Sequence, residues 1–524
     1  MKKLTCIFLA VLMVLSLAGI ASAEKTDKTF TFTMAGDVGD LSPFGGDSGG
    51  RHHTYRMMYD CLAASKGLGK SINELEPQIA KSWTVADSKN IDVEIFDYVK
   101  DSQGNHITAS DVVYSYQQAI ASGTMEKLNG YLDTIEATGE YTLHITLKSD
   151  SMGAMEWVMD TVPIVSEAWF SNASDADKTQ NPAVTGPYIL KETVADSHTT
   201  LVRNDDYWQT DESLRAYYDS DTFAVITLNV ARESSMRTIA LENRETDGAQ
   251  NVNSAEVAFF MNDPAWNVQP VYNGRMNVIM FNNDNSVFAD NQALRQACLY
   301  AIDADAVRLG YGYLYGAASK DFSPAVSGDY LEKWKNEDYF DYNLEKAKEL
   351  MAEAGYPDGG IEVTLMYQNS TNATSGLTVL QNNLADIGVK VNLMPADQAL
   401  FNSYKYDDTK WDIIVDSKAT SDFATAVWEN CFDTKAFTNG SACFTHDDEL
   451  QRLLMEAASS ATHSEETLDA FHSYLKEKAY GAGLFEFQTF YVFQSGVTET
   501  QQDGFGNMTV TGLTFADDFQ TLAK

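Results

Sequence analysis

The sequence predicts an α/β protein with a strand-rich module in its first half and an open α/β domain in its second half. Thr and Phe alternate at positions 29–33, which is the period of a half-buried strand. Further along, short apolar strands alternate with helices, as they do in βαβ units. The 524 residues suggest about three domains at roughly 150 residues each.

The first half contains several strands and one well-marked helix start. Thr108 and Asp111 have the spacing of a capping box, which predicts a helix that begins after Thr108. A polar loop at 36–43 follows the first strand and can face a ligand. Period-2 alternation predicts strands at 29–33, 90–99 and 141–147.

The second half alternates between the two element types. Asn343 can cap a helix that Gly355 ends. Helices are predicted at 344–354, 375–387 and 396–404, and strands at 361–367, 389–393 and 413–415. Loops beyond the carboxyl ends of strands line the ligand crevice in open α/β sheets, so we expect a site in the loop 416–422.

The charge of the chain excludes several classes of partner. There are 75 Asp and Glu against 37 Lys and Arg, which gives a formal net charge of -38. A nucleic acid partner is not expected, because such proteins neutralise phosphates with cations. The same charge disfavours an anionic membrane surface and favours a monomer that repels its own copies.

The first 23 residues have the pattern of an export signal. Lys2 and Lys3 precede an apolar run at 7–20, and Ala21 and Ala23 mark a cleavage site. The run is shorter than the ~20 apolar residues of a membrane span. We expect a periplasmic or cell-surface protein that begins at Glu24. No cysteine stands directly after the run, and Cys6 lies before it, so lipid anchoring is not predicted.

Other motifs resemble those of enzymes and metal proteins. Ser48 lies in a Gly-Asp-Ser-Gly-Gly run near His52 and His53, which raises the alternative of a secreted serine hydrolase. The base motif of that class is missing, so we favour a Gly-rich loop and predict no catalytic residue. The run 67–71 lacks the first glycine of a phosphate-binding loop and is interpreted as a turn. No metal motif appears, and no cofactor is predicted.

Seven segments stand in a fixed order over nearly the whole chain after the export signal. They are Leu75-Glu-Pro-Gln-Ile-Ala-Lys-Ser-Trp83, Ile107-Thr-Ala-Ser-Asp-Val-Val-Tyr-Ser115, Thr185-Gly-Pro-Tyr188, Arg203-Asn-Asp-Asp-Tyr-Trp208, Leu294-Arg-Gln-Ala-Cys-Leu-Tyr-Ala-Ile-Asp303, Tyr342-Asn-Leu-Glu-Lys-Ala-Lys-Glu-Leu-Met-Ala-Glu-Ala-Gly-Tyr356 and Leu384-Ala-Asp-Ile-Gly-Val-Lys-Val391. In this order they resemble the extracellular solute-binding proteins of peptide and nickel ABC transporters, the dipeptide- and oligopeptide-binding class known as family 5.

This resemblance implies a two-lobed, periplasmic-binding-protein type II fold with an extra strand-rich domain. Its expected bounds are 24–62, 183–275 and 491–524 for lobe I, 63–182 for the inserted domain, and 276–490 for lobe II. It also implies a Venus-flytrap mechanism, in which a peptide binds between the lobes and the closed form docks on the ABC permease. A metal chelate such as nickel, a sugar or another small solute is the alternative ligand. A surface sensor on the same fold is a further alternative.

The peptide binders of this family hold the ligand ammonium with an aspartate, and here the alignment places Ala419 at that position. Asp416 or Asp422 could take over the role, because a slip of a few residues is possible in a loop. The predicted ligand-binding residues are Asp37, Asp40, Phe281, Asn282, Asp416, Ser417, Asp422 and Trp428. No residue is predicted as a metal ligand.

Four cysteines follow the export signal. In an exported protein, Cys431 and Cys443 could form a disulfide across a short loop, and the family resemblance implies the same bond. Cys61 and Cys298 lie in apolar surroundings and are predicted to be core residues.

Overall fold

A computed structural model of the chain describes residues 27–39, 41–45, 51–319, 321–419, 423–434 and 441–523. The predicted export signal, Asp40, Ser48 and Asp422 lie outside these ranges. The described residues form strands and helices in the alternation that the sequence predicts, so the α/β class is confirmed.

The strands are numbered in chain order. They are β1 (Thr29–Met34), β2 (Ala63–Ala64), β3 (Glu76–Pro77), β4 (Ala80–Asp87), β5 (Asn90–Ile95), β6 (Leu132–Ala137), β7 (Thr142–Leu147), β8 (Tyr188–Val194), β9 (His198–Arg203), β10 (Val225–Val230), β11 (Gly248–Val252), β12 (Trp266–Phe281), β13 (Ile361–Gln368), β14 (Val389–Ala396), β15 (Ile413–Ala419), β16 (Gly481–Gln494), β17 (Val497–Glu499) and β18 (Thr514–Phe515).

The α-helices are numbered in the same way. They are α1 (Arg51–Met58), α2 (Ala109–Ala121), α3 (Glu126–Tyr131), α4 (Ala154–Thr161), α5 (Glu167–Phe170), α6 (Asp175–Gln180), α7 (Ser234–Glu242), α8 (Ala258–Met261), α9 (Gln292–Ala301), α10 (Ala304–Gly310), α11 (Leu344–Glu353), α12 (Thr371–Ala385), α13 (Gln398–Tyr404), α14 (Ala424–Phe432), α15 (Asp448–Ala458) and α16 (Glu465–Lys478).

Two long strands connect the two halves of a ten-stranded sheet. The strand order is β14-β13-β15-β12-β16-β11-β1-β10-β9-β8. β12 and β16 pair antiparallel along most of their length, with an irregularity between Tyr272 and Met276. Gly274 lies in that interval with φ of 67°, a left-handed conformation that glycine adopts without strain. The crossing strands therefore bend where one half of the sheet meets the other.

The half of the sheet that contains β13, β14 and β15 is covered on both faces. β13 pairs parallel with both β14 and β15. Along β12, Ile279 and Phe281 point into one apolar cluster, whereas Val278 and Met280 point into the cluster on the opposite face. Such double burial is typical of parallel strands that alternate with helices, so this half forms the predicted open α/β domain.

A second, four-stranded antiparallel sheet has the order β4-β5-β7-β6. It lies in the first half of the chain, where the sequence predicts a strand-rich module. The helix α2 begins beside it as expected, because the Thr108 N–H donates to Asp111 Oδ2 at 2.8 Å in a capping box. The apolar side chains of this sheet join the same core cluster as those of β1.

One predicted boundary is wrong in a way that affects the site. The sequence predicts that the strand at 413–415 ends before Asp416, but β15 continues to Ala419. Asp416, Ser417 and Lys418 pair with Val278, Asn277 and Met276 of β12. The ladder that β12 offers extends the strand through polar residues, so these side chains alternate on a sheet instead of lying in a loop.

Among the described residues, no helix combines the length and the apolar character that a membrane-crossing helix needs.

Candidate functional site

A cavity opens at the edge of the sheet where the carboxyl ends of β13, β14 and β15 meet. Ligands of open α/β sheets bind at such an edge. The volume of the cavity is about 440 Å³, within the range of small-ligand pockets. We call it the β15 cavity, and its lining residues are Arg275, Met280, Gln368, Gln398, Phe401, Asn402, Lys405, Tyr406, Ile414, Asp416, Ser417, Lys418, Asn430 and Ala442.

An ion pair forms part of the cavity wall. Asp416 and Lys418 lie two residues apart on β15 and therefore on the same face. Lys418 Nζ lies 2.9 Å from Asp416 Oδ2, and the side chains are 13% and 16% exposed. Burial lowers the pKa of Lys418, but the nearby Cys431 and the Asp416 carboxylate raise it more, and the pKa lies above its ordinary value. Lys418 is therefore charged at neutral pH.

The Asp416 carboxylate is engaged through both of its oxygens. Oδ2 faces the Lys418 ammonium, and Oδ1 accepts a hydrogen bond of 2.8 Å from the backbone N–H of Ser417. Asp416 thus binds an ammonium group, as the sequence suggests, but this ammonium belongs to the chain itself.

Two further cations line the same cavity. Arg275 lies on β12 directly opposite Ala419 of β15, and its side chain is exposed. Lys405 follows α13, with its ammonium 5.0 Å from the centre of the Tyr406 ring. Among the residues that the structure describes, the lining therefore contains three cationic side chains and one carboxylate.

Neutral polar groups complete the wall. The Gln368 amide donates to Gln398 Oε1 at 2.6 Å, and the Gln398 amide donates to Asn402 Oδ1 at 3.1 Å. This row joins the end of β13 to α13. Amides that are ordered by one another offer both donors and acceptors to a polar ligand.

Three of the predicted ligand contacts lie in the core. Phe281 is 0% exposed and packs on Phe288 with ring centres 4.5 Å apart. Trp428 is 1% exposed and packs on Phe471 at the same separation. Neither ring has surface left for a solute in this structure. The structure corrects these two predictions, because Phe281 at the end of β12 and Trp428 on α14 fill the space between sheet and helices.

Asn282 is also fully buried. Its amide donates to the carbonyl oxygens of Asp408 and Trp411 at 2.7 and 2.8 Å, and its Oδ1 accepts from backbone N–H groups of the following turn. The side chain therefore connects the chain after β12 to the loop before β15. This prediction is corrected as well, because all of its polar atoms serve the fold.

Asp37 lies in the loop after β1, as predicted, but it does not line the β15 cavity. Its carboxylate accepts hydrogen bonds from the backbone N–H groups of Val38 and Asp196, at 2.8 and 2.7 Å. The second bond holds the loop against the turn between β8 and β9. Of the eight predicted residues, the structure brings Asp416 and Ser417 together at the cavity, while Asp40 and Asp422 lie outside the described ranges.

The predicted disulfide is absent from the structure, which holds Cys431 and Cys443 as free, buried thiols. Burial raises the pKa of both, that of Cys431 to about 12, so they stay protonated. The Cys443 thiol contacts the Ser441 hydroxyl at 3.3 Å. Cys61 and Cys298 are fully buried in the core, which confirms their predicted positions.

The residues of the hydrolase alternative have structural partners. His52 contacts the Asp503 carboxylate, and His53 Nε2 lies 2.8 Å from Gln250 Oε1. Both rings are nearly inaccessible to solvent. Ser48 lies outside the described residues. Within the described ranges, no group of three or more His, Cys, Asp and Glu is placed to hold a metal ion.

Sequence reasoning missed the cations of the cavity, which are Arg275, Lys405 and Lys418. The sequence contains one indication that Lys418 lies beside Asp416. Lys418 stands two residues after Asp416, and side chains at that spacing share one face of a strand. The signal was lost because the strand was predicted to end at Val415.

The sequence matches one protein family and several known proteins. The family model described as bacterial extracellular solute-binding proteins, family 5 Middle, matches residues 74–435. Heme-binding protein A of Haemophilus influenzae is 26% identical over 64% of this chain and 64% of its own length, so the match spans a little under two thirds of that relative. The nickel-binding protein NikA of Staphylococcus aureus is 23% identical over 80% of this chain and 79% of its own length.

A solved structure gives the same result for the fold. The putative peptide binding protein AppA from Clostridium difficile superposes with a TM-score of 0.75. The match covers 90% of this chain and 95% of that chain at 18% sequence identity. The two-lobed α/β fold expected from the sequence is thereby confirmed.

Proposed function

Because the chain belongs to the family 5 bacterial extracellular solute-binding proteins, we propose that it captures a peptide between its two lobes and delivers it to the permease of an ABC importer. The β15 cavity is the observation that carries this proposal. It lies at the ligand-binding edge of an α/β sheet, and it combines charged groups, ordered amides and the aromatic rings of Phe401 and Tyr406. Such a lining suits a polar solute with some apolar surface.

Contacts close to the cavity support closure around the solute. The segment after β7 meets the end of α15, where the Met152 N–H donates to the Ala458 carbonyl at 2.7 Å and the Ser460 N–H donates to the Asp150 carbonyl at 2.6 Å. The Ser151 hydroxyl donates to Glu429 Oε1 at 3.1 Å. Glu429 is on α14, and the next residue of that helix lines the cavity. In the proposed mechanism these bonds form when the lobes close.

A second contact of this kind joins two glycines. A Cβ atom on Gly328 would lie 2.2 Å from the carbonyl oxygen of Gly69, so the two backbones touch with no room for a side chain. Gly69 precedes the four-stranded sheet, and Gly328 lies between α10 and α11. We propose that this approach also belongs to the closed form.

The remaining parts of the proposal concern location and partners. The sequence pattern of residues 1–23 supports export, after which the mature chain would carry a formal charge of about -40, since two lysines leave with the signal. We propose that the protein works as a monomer outside the cytoplasm and that its other partner is the permease.

Thermal unfolding in the presence of candidate solutes tests this function. We expect di- to pentapeptides to raise Tm, because a ligand present at 100 times Kd stabilises the folded state by about 2.7 kcal/mol. Hemin, nickel and sugars form the comparison set. If one of these raises Tm while every peptide leaves it unchanged, the peptide proposal is wrong and the other solute takes its place.

The hydrolase alternative is tested in the same preparation. Ser48→Ala should leave the peptide-induced rise of Tm intact, and the wild-type protein should release no cleaved peptide when the mixture is examined by mass spectrometry. Cleavage that disappears in the variant would show an enzyme instead of a binding protein.

A further inference from the structure

The β15 cavity has a charge opposite to that of the whole protein. Acidic residues outnumber basic ones by 75 to 37 in the chain, yet the described residues of the cavity lining include three cations, Arg275, Lys405 and Lys418, and one carboxylate, Asp416. A locally reversed charge of this kind attracts an anionic group and repels a cationic one.

The Asp416 carboxylate is already neutralised. The Lys418 ammonium lies 2.9 Å from Asp416 Oδ2, and the Ser417 backbone N–H donates to Oδ1. A ligand ammonium would have to displace a cation that is tethered two residues away on the same strand. That displacement would leave the Lys418 ammonium, with its side chain only 13% exposed, without a counter-ion.

The two lysines, by contrast, have capacity left. Among the residues that the structure describes, Asp416 is the one ion-pair partner of Lys418, and no carboxylate lies within ion-pair distance of Lys405. An ammonium has three N–H donors, so Lys418 can bond Asp416 and a ligand oxygen together. Arg275 adds a guanidinium, which suits a planar carboxylate.

We propose that the β15 cavity selects solutes by a carboxylate, which Lys418 binds with help from Arg275 and Lys405. This rests on the proposed function and defines its substrate class: for a peptide, the group held here is the terminal carboxylate or an acidic side chain, and the ammonium end lies elsewhere. The amides of Gln398 and Asn402 then contact the neutral part of the solute.

Two sets of matched probes test this proposal by calorimetry and thermal unfolding. The first set is tri-alanine, its C-terminal amide and its N-acetyl form. The second is glutarate and 1,5-diaminopentane, which have the same chain length and opposite charge. We expect amidation to weaken binding by about tenfold or more, because the amide lacks the charge that strengthens a hydrogen bond to the Lys418 ammonium. N-acetylation should have a smaller effect, and glutarate should raise Tm where the diamine does not.

Two lysine variants test whether the preference for a carboxylate arises in the β15 cavity. Lys418→Met keeps the length of the side chain and removes its charge, so it should abolish both the penalty for amidation and the response to glutarate. Lys390→Met is the matched control, because the Lys390 to Glu362 ion pair has a similar length of 2.8 Å but lies exposed on β14 and β13. The control should behave as the wild type, and circular dichroism should show that both variants fold.

The outcomes separate this inference from the proposed function. If tri-alanine binds and its amide binds equally well, the carboxylate proposal is wrong while peptide capture stands. If glutarate binds through Lys418 and no peptide binds, the peptide proposal is wrong while carboxylate selection stands. Stabilisation by the diamine, or a glutarate response that survives in Lys418→Met, overturns the inference, and so does the absence of any response to both probe sets.

Discussion

Two ion pairs of similar geometry lie in opposite halves of the molecule. Arg56 Nη1 and Asp160 Oδ1 are 2.7 Å apart, with side chains 2% and 5% exposed. Lys418 and Asp416 are 2.9 Å apart, with side chains 13% and 16% exposed. The first pair joins α1 to α4 and is sealed from solvent next to the fully buried Cys61. The second pair opens into a cavity of about 440 Å³. Buried charge alone therefore does not mark a site; access from solvent does.

The difference also shows in the surroundings of each pair. The Arg56 guanidinium lies 5.2 Å from the centre of the Phe505 ring, and the second oxygen of Asp160 accepts from the Ser65 N–H. Its charge is thus enclosed by an aromatic ring and backbone. Burial raises the pKa of Asp160 to about 6 even beside the arginine. Lys418, by contrast, shares the lining of the β15 cavity with the polar side chains of Gln398 and Asn402, which a solute can contact.

The largest expected effect comes from breaking the sealed pair. Arg56→Met leaves the Asp160 carboxyl buried without its partner, which should lower the free energy of unfolding by about 3 to 5 kcal/mol. Urea denaturation followed by circular dichroism measures this change. Lys418→Met is the comparison and should lower the free energy of unfolding by less, because the cavity gives the Asp416 carboxylate access to water, whereas the Asp160 side chain is only 5% exposed. Equal losses in the two variants would remove the distinction between the pairs.

A smaller effect is expected on the pH dependence of the free energy of unfolding, through Glu429, whose carboxyl contacts the Ser151 hydroxyl. Burial raises the pKa of Glu429 to about 7, from its ordinary value of 4.5. Since the folded state holds this proton more tightly than the unfolded state, its contribution to stability is fully present below pH 4.5 and is lost as the pH rises through 7. Glu429→Gln should therefore reduce the loss of stability between pH 5 and pH 8, by on the order of 1 kcal/mol.

The control for this pH series is Glu345→Gln, at a carboxylate that is 86% exposed. Denaturation at each pH should give the control the same slope as the wild type. A Glu429→Gln protein whose stability changes with pH as steeply as the wild type would contradict the assignment.

The smallest expected effect is at the glycine contact. Gly328 has no positive φ, so Gly328→Ala is compatible with the local backbone, but its Cβ would clash with Gly69 when the two segments meet. The variant should lower solute affinity by roughly threefold to tenfold through a less stable closed form. Titration calorimetry measures this loss, and urea denaturation should show little change. Unchanged affinity together with lower stability would mean that the contact only supports the fold.

The parts of the fold that depend on local chemistry were predictable from the sequence. The Asn343 side chain accepts from the Lys346 N–H at the start of α11, and Gly355 follows the helix with φ of 92°, as the sequence indicates. The turn at 67–71 is another example, since Gly67 and Gly69 both have positive φ. Caps and turns involve residues within a few positions of each other, so a single sequence contains the information.

The site depends on contacts between distant segments, and these were predicted less well. β15 reaches Ala419 because Arg275 lies opposite it on a strand about 140 residues earlier, and no local pattern indicates that register. Phe281 packs on Phe288 and Trp428 packs on Phe471, and the sequence alone does not show which aromatic side chains pack in this way and which ones face a ligand. The disulfide prediction used the spacing of Cys431 and Cys443 together with a family likeness, and neither reports the state of the two thiols.

Binding of a solute in the β15 cavity is tested most directly by hydrogen exchange of the whole protein with and without saturating tri-alanine. We expect slower exchange in α13 and in the last residues of β15, with no change in α1 around the sealed Arg56 pair. Protection confined to α1 and its neighbours, or no protection in α13 and β15 while the peptide is bound, would contradict it.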